Sequence, residues 1–258
     1  MRKFQLLFAA FAVITLSYAS AQDVTVDEII DGYFESTGGK DAWRNLKGMK
    51  ISAKVNQGGM EIPLEIVQLA DGKQYTKITF QGMEIKQGVF DGETMWSTNF
   101  QSMKAEKADT ETTENSKLDM NDFPDSFLDY KDKGYTAELL GTETIDGAET
   151  YKVKLTKEPR MLDGKEVEDV SFYYFDAESF VPLAVDQEIK AGPQAGAIGR
   201  STMSDYQEVE GLYFPFSMTQ GIKDGPSQPL MIESIEVNPE IDAAAFAFPA
   251  EQASPTGN

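Results

Sequence analysis

Two apolar runs, aromatic over 172–175 and β-branched over 181–185, place large side chains at period two on both faces. They flank the polar run Asp176-Ala177-Glu178-Ser179. Aromatic and β-branched runs on either side of a polar four predict a hairpin. On the first run Phe172 and Tyr174 share one face, and Tyr173 and Phe175 the other. On the second, Val181, Leu183 and Val185 share a face. Large side chains on both faces predict a sheet that is covered on both sides, or curled around something.

The same period marks strands over 49–55, 62–69, 74–80, 83–90 and 94–100. They are separated by Gly58-Gly59, Asp71-Gly72, Gln81-Gly82 and Asp91-Gly92. Such pairs supply the positive φ angles of tight turns, so this half reads as a meander. Further strands are expected over 136–140, 142–145, 150–156, 167–175, 181–189, 202–209, 213–219 and 230–237. The period is helical only near the start, over 24–36, where Val26, Ile29, Ile30, Tyr33 and Phe34 share a face. Asp23 or Thr25 can cap that helix, and Gly38-Gly39 ends it. A second helical turn over 40–46 carries Trp43, a core anchor.

The polar stretch 104–120 reads as an exposed loop with room for a short helix. A helix is predicted over 122–133, starting near Pro124 with Asp122 as its cap. Loop and helix together suit a lid, or an insertion packed on the sheet. Phe246 and Phe248 are expected against the sheet edge. The class is α+β, mainly antiparallel β.

The chain start has the form of an export signal. Arg2 and Lys3 precede an apolar run over 4–16, and Ala19-Ser20-Ala21 is a cleavage pattern. Residues 1–21 are expected to be removed, 22–249 to form one domain, and 250–258 to be a disordered tail. With no cysteine near the cleavage site, the mature chain is expected to be non-lipidated and soluble in the periplasm.

Composition then removes chemistry. The 258 residues include no cysteine and no histidine. Disulfides, thiolate metal sites, histidine bases and Ser-His-Asp or Cys-His nucleophiles are excluded. With 23 basic and 43 acidic residues the formal charge is −20, which repels nucleic acid and anionic head groups. Calcium loops of D-x-D-x-D-G spacing are not found. No metal or cofactor is expected. An enzyme would rest on carboxylate pairs such as Glu65 with Glu84, or Asp176 with Glu188.

Several phrases in order carry a resemblance: WRNLKGMKISAKV after Gly38-Gly39, FDGETMW at 90–96, and FPDSFLDYKDKGYTAELLG at 123–141. Further on come YYFDAESFVPL at 173–183, DYQEVEGLYFPFSM at 205–218 and VNPEIDAAAFAFP at 237–249. Together the chain resembles the outer-membrane lipoprotein-sorting family (LolA/LolB-like), in the variant common in Bacteroidetes-type exported proteins. The resemblance implies an incomplete, half-open β-barrel with helices covering its open side. It also implies periplasmic carriage of lipid or lipoprotein acyl chains in an apolar cavity. The founding carriers' early Arg-Pro pair has no counterpart in Leu69-Ala70-Asp71-Gly72-Lys73, so that lid-locking role is not carried over. No exposed hydrophobic tip is read.

If there is a cavity, strand residues facing inward line it. The candidates are Ile78, Phe80, Met83, Ile85, Val89, Met95, Trp96, Phe172, Tyr174 and Leu183. The same residues would otherwise be sheet-to-helix packing. The expected partners are an acyl-chain ligand and transient envelope proteins, with no nucleic acid and no membrane embedding, for a monomeric chain. The competing classes are a non-catalytic accessory subunit that binds protein, and a carboxylate-dependent hydrolase.

Overall fold

Ile29, Ile30, Tyr33 and Phe34 form the buried stripe of the first helix, α1 (Val26–Ser36). The computed structural model describes residues 24–249, so the expectations for 1–21 and 250–258 lie outside the described residues. Of the two candidate caps it uses Thr25. The Glu28 amide donates to Thr25 Oγ1 at 3.2 Å, and the Thr25 amide donates to the Glu28 carboxylate at 2.8 Å. This reciprocal box satisfies two amides that the helix start would leave open. Thr25→Ala is expected to cost about 1 kcal/mol, read as a shifted denaturant midpoint with an unchanged slope. A midpoint that does not move would show that the box adds nothing.

Beyond α1 the chain turns sharply. A Cβ on Gly38 would sit 2.2 Å from the Gly211 carbonyl, and its φ is +113°, so both space and backbone demand glycine there. The turn delivers α2 (Lys40–Arg44), which sets Trp43 edge-on to Phe34 and Phe214, with ring centres 6.2 and 5.4 Å apart.

The strands follow: β1 (Gly48–Gln57), β2 (Met60–Leu69), β3 (Gln74–Phe80), β4 (Met83–Phe90), β5 (Met95–Thr98) and β6 (Ala105–Lys107). After helix α3 (Thr110–Asp119) come β7 (Thr136–Ile145), β8 (Ala148–Thr156), β9 (Arg160–Leu162), β10 (Lys165–Val167), β11 (Val170–Asp176) and β12 (Pro182–Glu188). The last three are β13 (Ile198–Val209), β14 (Leu212–Ile222) and β15 (Ser227–Val237). Thirteen of these strands form one antiparallel sheet, in the order β6-β5-β4-β3-β2-β1-β15-β14-β13-β12-β11-β8-β7. The first and last strands, β1 and β15, pair at its middle. The outer strands β6 and β7 do not pair with each other, so the sheet stays open as the half-barrel reading expects. The small hairpin β9–β10 stands apart, in a stretch read from sequence as a polar loop.

Two segments depart from expectation, residues 123–135 and the C-terminal residues 238–249. Residues 123–135 are not a helix from an Asp122 cap but a chain of turns. The Asp125 carboxylate accepts from the Phe127 amide at 2.7 Å, and Asp129 has φ +51°, which no helix interior tolerates. Arg44 holds the Asp129 carboxylate at 2.9 and 2.7 Å, and Tyr33 donates to Asp125 at 2.9 Å. The segment thus clamps Phe127, Leu128 and Tyr130 over α1. The helix forms instead in the polar stretch before it. Asp109 caps α3 by accepting from the Thr112 amide at 2.7 Å, with Glu111 in the first turn and Lys117 in the last.

The second departure is at the C-terminal end. Residues 238–249 do not tuck against an edge but cross a sheet face. Phe246 is buried there with Val67, Tyr75, Val89 and Trp96. Trp96 Nε1 donates to the Phe246 carbonyl at 3.0 Å, and Lys86 donates to the Ala245 carbonyl at 2.7 Å.

Candidate ligand-binding trough

Directly opposed residues of an antiparallel pair point to one side, so the strand registers define the faces. One face carries α1, α2 and residues 123–135. Their core includes Met49, Val153, Leu155, Phe175, Leu212, Phe214 and Ile235. Followed across the sheet, this helix-side face has three rows. Ile235, Ile51, Ile66, Thr76 and Gln87 oppose one another in turn. The next row is Ile232, Ala53, Leu64, Ile78 and Ile85. The one beyond is Met203, Met218, Leu230, Val55 and Ile62, with Phe80 and Met83 opposed alongside.

Ile235, Ala53, Ile62 and Ile85 are buried, and Ile51 and Ile232 pack against the helix-side core. Farther out Val55, Leu64, Ile78, Phe80, Met203, Met218 and Leu230 are only half-buried. The result is an apolar floor in contact with water, which is the costly arrangement for a chain with this much polar surface elsewhere.

Helix α3 bridges the mouth of this trough. On one flank Ser116 Oγ lies 2.9 Å from Met95 Sδ, and Met120 packs on Gly72. On the other flank Glu111, Asn115 and Asp119 recur at helical spacing and all bind the region of β9–β10. Glu111 accepts from the Asp163 and Gly164 amides at 2.8 Å each. Asn115 donates to the Met161 carbonyl at 2.7 Å and accepts from its amide at 3.1 Å, while Asp119 pairs with Arg160. Arg160 also reaches buried Asp169 at 2.6 Å, and Lys157 joins Asp169 at 3.2 Å to Asp122 at 2.6 Å. Burial pushes the Asp169 carboxyl up, but the Arg160 and Lys157 partners outweigh it and hold it below its ordinary value. Helix α3 is therefore fastened on this flank by polar bonds rather than by an apolar face.

No protein-family model matches the chain, and no curated protein matches it in sequence. Solved structures do. A DUF1329 family protein from Desulfovibrio piger superposes with TM-score 0.52 at 16% identity, over 86% of this chain and 97% of that one. A LolA superfamily protein from Nitrosomonas europaea gives 0.52 at 13%, over 87% and 98%. A domain assigned to outer membrane lipoprotein sorting, from Vibrio parahaemolyticus, gives 0.50 at 12%, over 85% and 94%. The match runs nearly end to end on the other chains. The chain has the LolA/LolB-like fold.

Within this LolA/LolB-like sheet the ten expected cavity residues divide between the faces. Ile78, Phe80, Met83 and Ile85 stand on the trough side by register, and Met95 joins them opposite Phe90 under α3. Val89 does not. The bulge between Gln87 and Phe90, with Gly88 at φ +58°, turns Val89 to the far face, where it opposes Trp96. Val89 and Trp96 are both buried under the C-terminal segment.

Phe172, Tyr174 and Leu183 also lie away from the trough, in a small cluster with Ile145 and Ala184. Their neighbours on the trough side are Tyr173 and Phe175, against Phe127 and Tyr33. Sequence reading missed Leu64, Met203, Met218 and Leu230. The alternation of Ile62, Leu64 and Ile66 was visible, but only the β1–β15 pairing shows which face it joins.

The carboxylate pairs fare differently from one another. Lys77 bridges Glu65 at 3.0 Å and Glu84 at 3.7 Å, and Tyr75 donates to Glu65 at 2.8 Å. Burial pushes Glu65 up, but the bonds from Tyr75 and Lys77 leave it below its ordinary value, the wrong direction for a general acid. Asp176 and Glu188 are not a pair: they flank β12 at opposite ends, and Asp176 is spent on the Ser179 amide and hydroxyl at 2.8 Å each. Among the described residues no group of three or more acidic side chains is arranged to hold a metal, and no helix is long and apolar enough to cross a membrane. Contrary to the sequence reading, hairpin tips do expose apolar side chains, Met60, Met83 and Phe100 on one end of the sheet.

Proposed function

We propose that the chain is a periplasmic carrier that binds acyl chains of lipids or lipoproteins in the trough under α3. The observation that carries this reading is the half-buried floor of Leu64, Ile78, Phe80, Met203, Met218 and Leu230, left open to water beneath a lid held by polar bonds. Each methylene moved from water onto such a floor is worth about 0.8 kcal/mol, so an acyl chain supplies the driving force. A lid whose contacts are carboxylate-to-amide and ion-pair bonds at the surface opens at low cost, because water replaces each partner. The export pattern over 1–21 supports the compartment, and the Vibrio parahaemolyticus neighbour supports a role in envelope lipid or lipoprotein traffic.

The test is native mass spectrometry of protein exported to the periplasm and purified without detergent, followed by organic extraction. Co-purifying acyl lipid or acylated peptide is the expected result. A clean apo mass, together with no uptake of a fluorescent fatty acid, would overturn the reading.

A further inference from the structure

The trough does not end on apolar residues. One strand step beyond Met203 and Met218, about 7 Å along β13 and β14, the helix-side row becomes Val185, Ser201, Gln220 and Gln228. A cavity of about 650 Å³ opens over it, roofed by Asp119 of α3 and by Arg160. At about 30 Å³ per water, that is room for roughly twenty waters, so a glycerol or a sugar ring enters without strain. The boundary between apolar floor and polar pocket falls within one residue pair, as an amphiphile requires.

The charges around the pocket say which head fits. Its cations are already engaged. Arg160 bonds Asp119 and buried Asp169, and Lys190 bonds Glu188 at 2.6 Å. Arg200 gives both its bonds to buried Asp186, at 2.6 and 2.7 Å. An anionic head would have to compete with these carboxylates, and the two buried ones, Asp169 and Asp186, do not release Arg160 and Arg200 cheaply. The Ser201 and Gln220 side chains, by contrast, make no hydrogen bond to any other described residue and are free to donate and accept.

We propose that this cavity holds an uncharged, hydroxyl-bearing head group of the acyl ligand whose chain lies on the trough floor. The proposal rests on the carrier reading and deepens it. It is tested by calorimetric titration of the delipidated exported protein with three ligands of one chain length: a monoacylglycerol, the free fatty acid and the lysophosphatidic acid. The monoacylglycerol is expected to bind at least about tenfold tighter than either anion. Ser201→Ala combined with Gln220→Leu should erase that preference and leave fatty-acid affinity unchanged. Both positions reach solvent, so the double variant is expected to keep its far-UV spectrum and midpoint. Equal or tighter binding of either anion, or a preference that survives the double variant, would overturn the head-group assignment while leaving the carrier reading intact. Binding of none of the three would overturn both.

Discussion

Asp186→Ala is expected to lower folding stability by about 3 kcal/mol, even though the residue lies on the sheet face away from the trough. Its carboxylate is 3% exposed and accepts from four donors. These are Arg200 Nε and Nη2 at 2.6 and 2.7 Å, Lys223 at 3.0 Å and the Tyr174 hydroxyl at 2.9 Å. Removing it leaves two cations facing each other across β13 and the β14–β15 turn, and a buried hydroxyl without its acceptor. Arg200 and Lys223 retain some access to water, which places the cost at the low end for a broken buried pair.

The same residue sets a pH signature. Burial pushes its carboxyl up, but the bonds from Arg200, Lys223 and Tyr174 outweigh that and hold it below the ordinary value of 3.8. The unfolded chain therefore takes up this proton first as pH falls. The stabilisation is fully present above the unfolded value and is lost as pH drops through the folded one. Urea midpoints from pH 7 down to pH 2 should show the wild type losing stability in that acid window more steeply than Asp186→Ala does. Parallel curves, or a variant within 0.5 kcal/mol of wild type by the usual scatter of surface changes, would show that the cluster is a solvated ornament.

The architecture was legible wherever one strand argues for itself. Period-two runs and glycine turns marked the meander β1–β5 and the later hairpins to within a few residues, because alternation and turn chemistry are local. Face assignment was not local. Gly88 looked like one more residue in a strand, yet its bulge reverses Val89 relative to Met83 and Ile85. Tyr174 and Tyr173 are adjacent and equally aromatic. Only the pairing of Tyr173 with Val185 and the packing of Phe127 on it show which of them faces α1.

The helix expected over 122–133 was misplaced for a related reason. Residues 110–119 have no apolar stripe, so periodicity is silent, whereas 123–130 has apolar spacing without a helix. Helix α3 exists through its Asp109 cap and through side chains that reach residues far along the chain, such as Arg160 and Met161. Residues that hold a lid by long-range polar bonds carry no signature in a single sequence.

Trp96→Ala is expected to cost about 3–5 kcal/mol, the largest effect of any change considered, and yet to spare acyl binding. Trp96 is 3% exposed on the far face, edge-on to Phe248 at 5.9 Å, with its indole N–H on the Phe246 carbonyl. Truncation opens a cavity and orphans that carbonyl, so the C-terminal segment loosens from β3–β5 and the melting temperature falls by about 10 °C. Ile78→Asp is the converse. Ile78 is half-buried on the trough floor, between Leu64 and Ile85, where a carboxylate still finds water in the empty protein but not beneath an acyl chain.

Fluorescent fatty-acid uptake measured well below both melting points therefore separates the faces. The tryptophan variant should bind like wild type, and the aspartate variant should lose at least about tenfold in affinity while melting near the wild-type temperature. If Trp96→Ala abolishes uptake in a folded protein and Ile78→Asp leaves it intact, the ligand lies on the face away from α1. The trough would then be ordinary packing left half open to water.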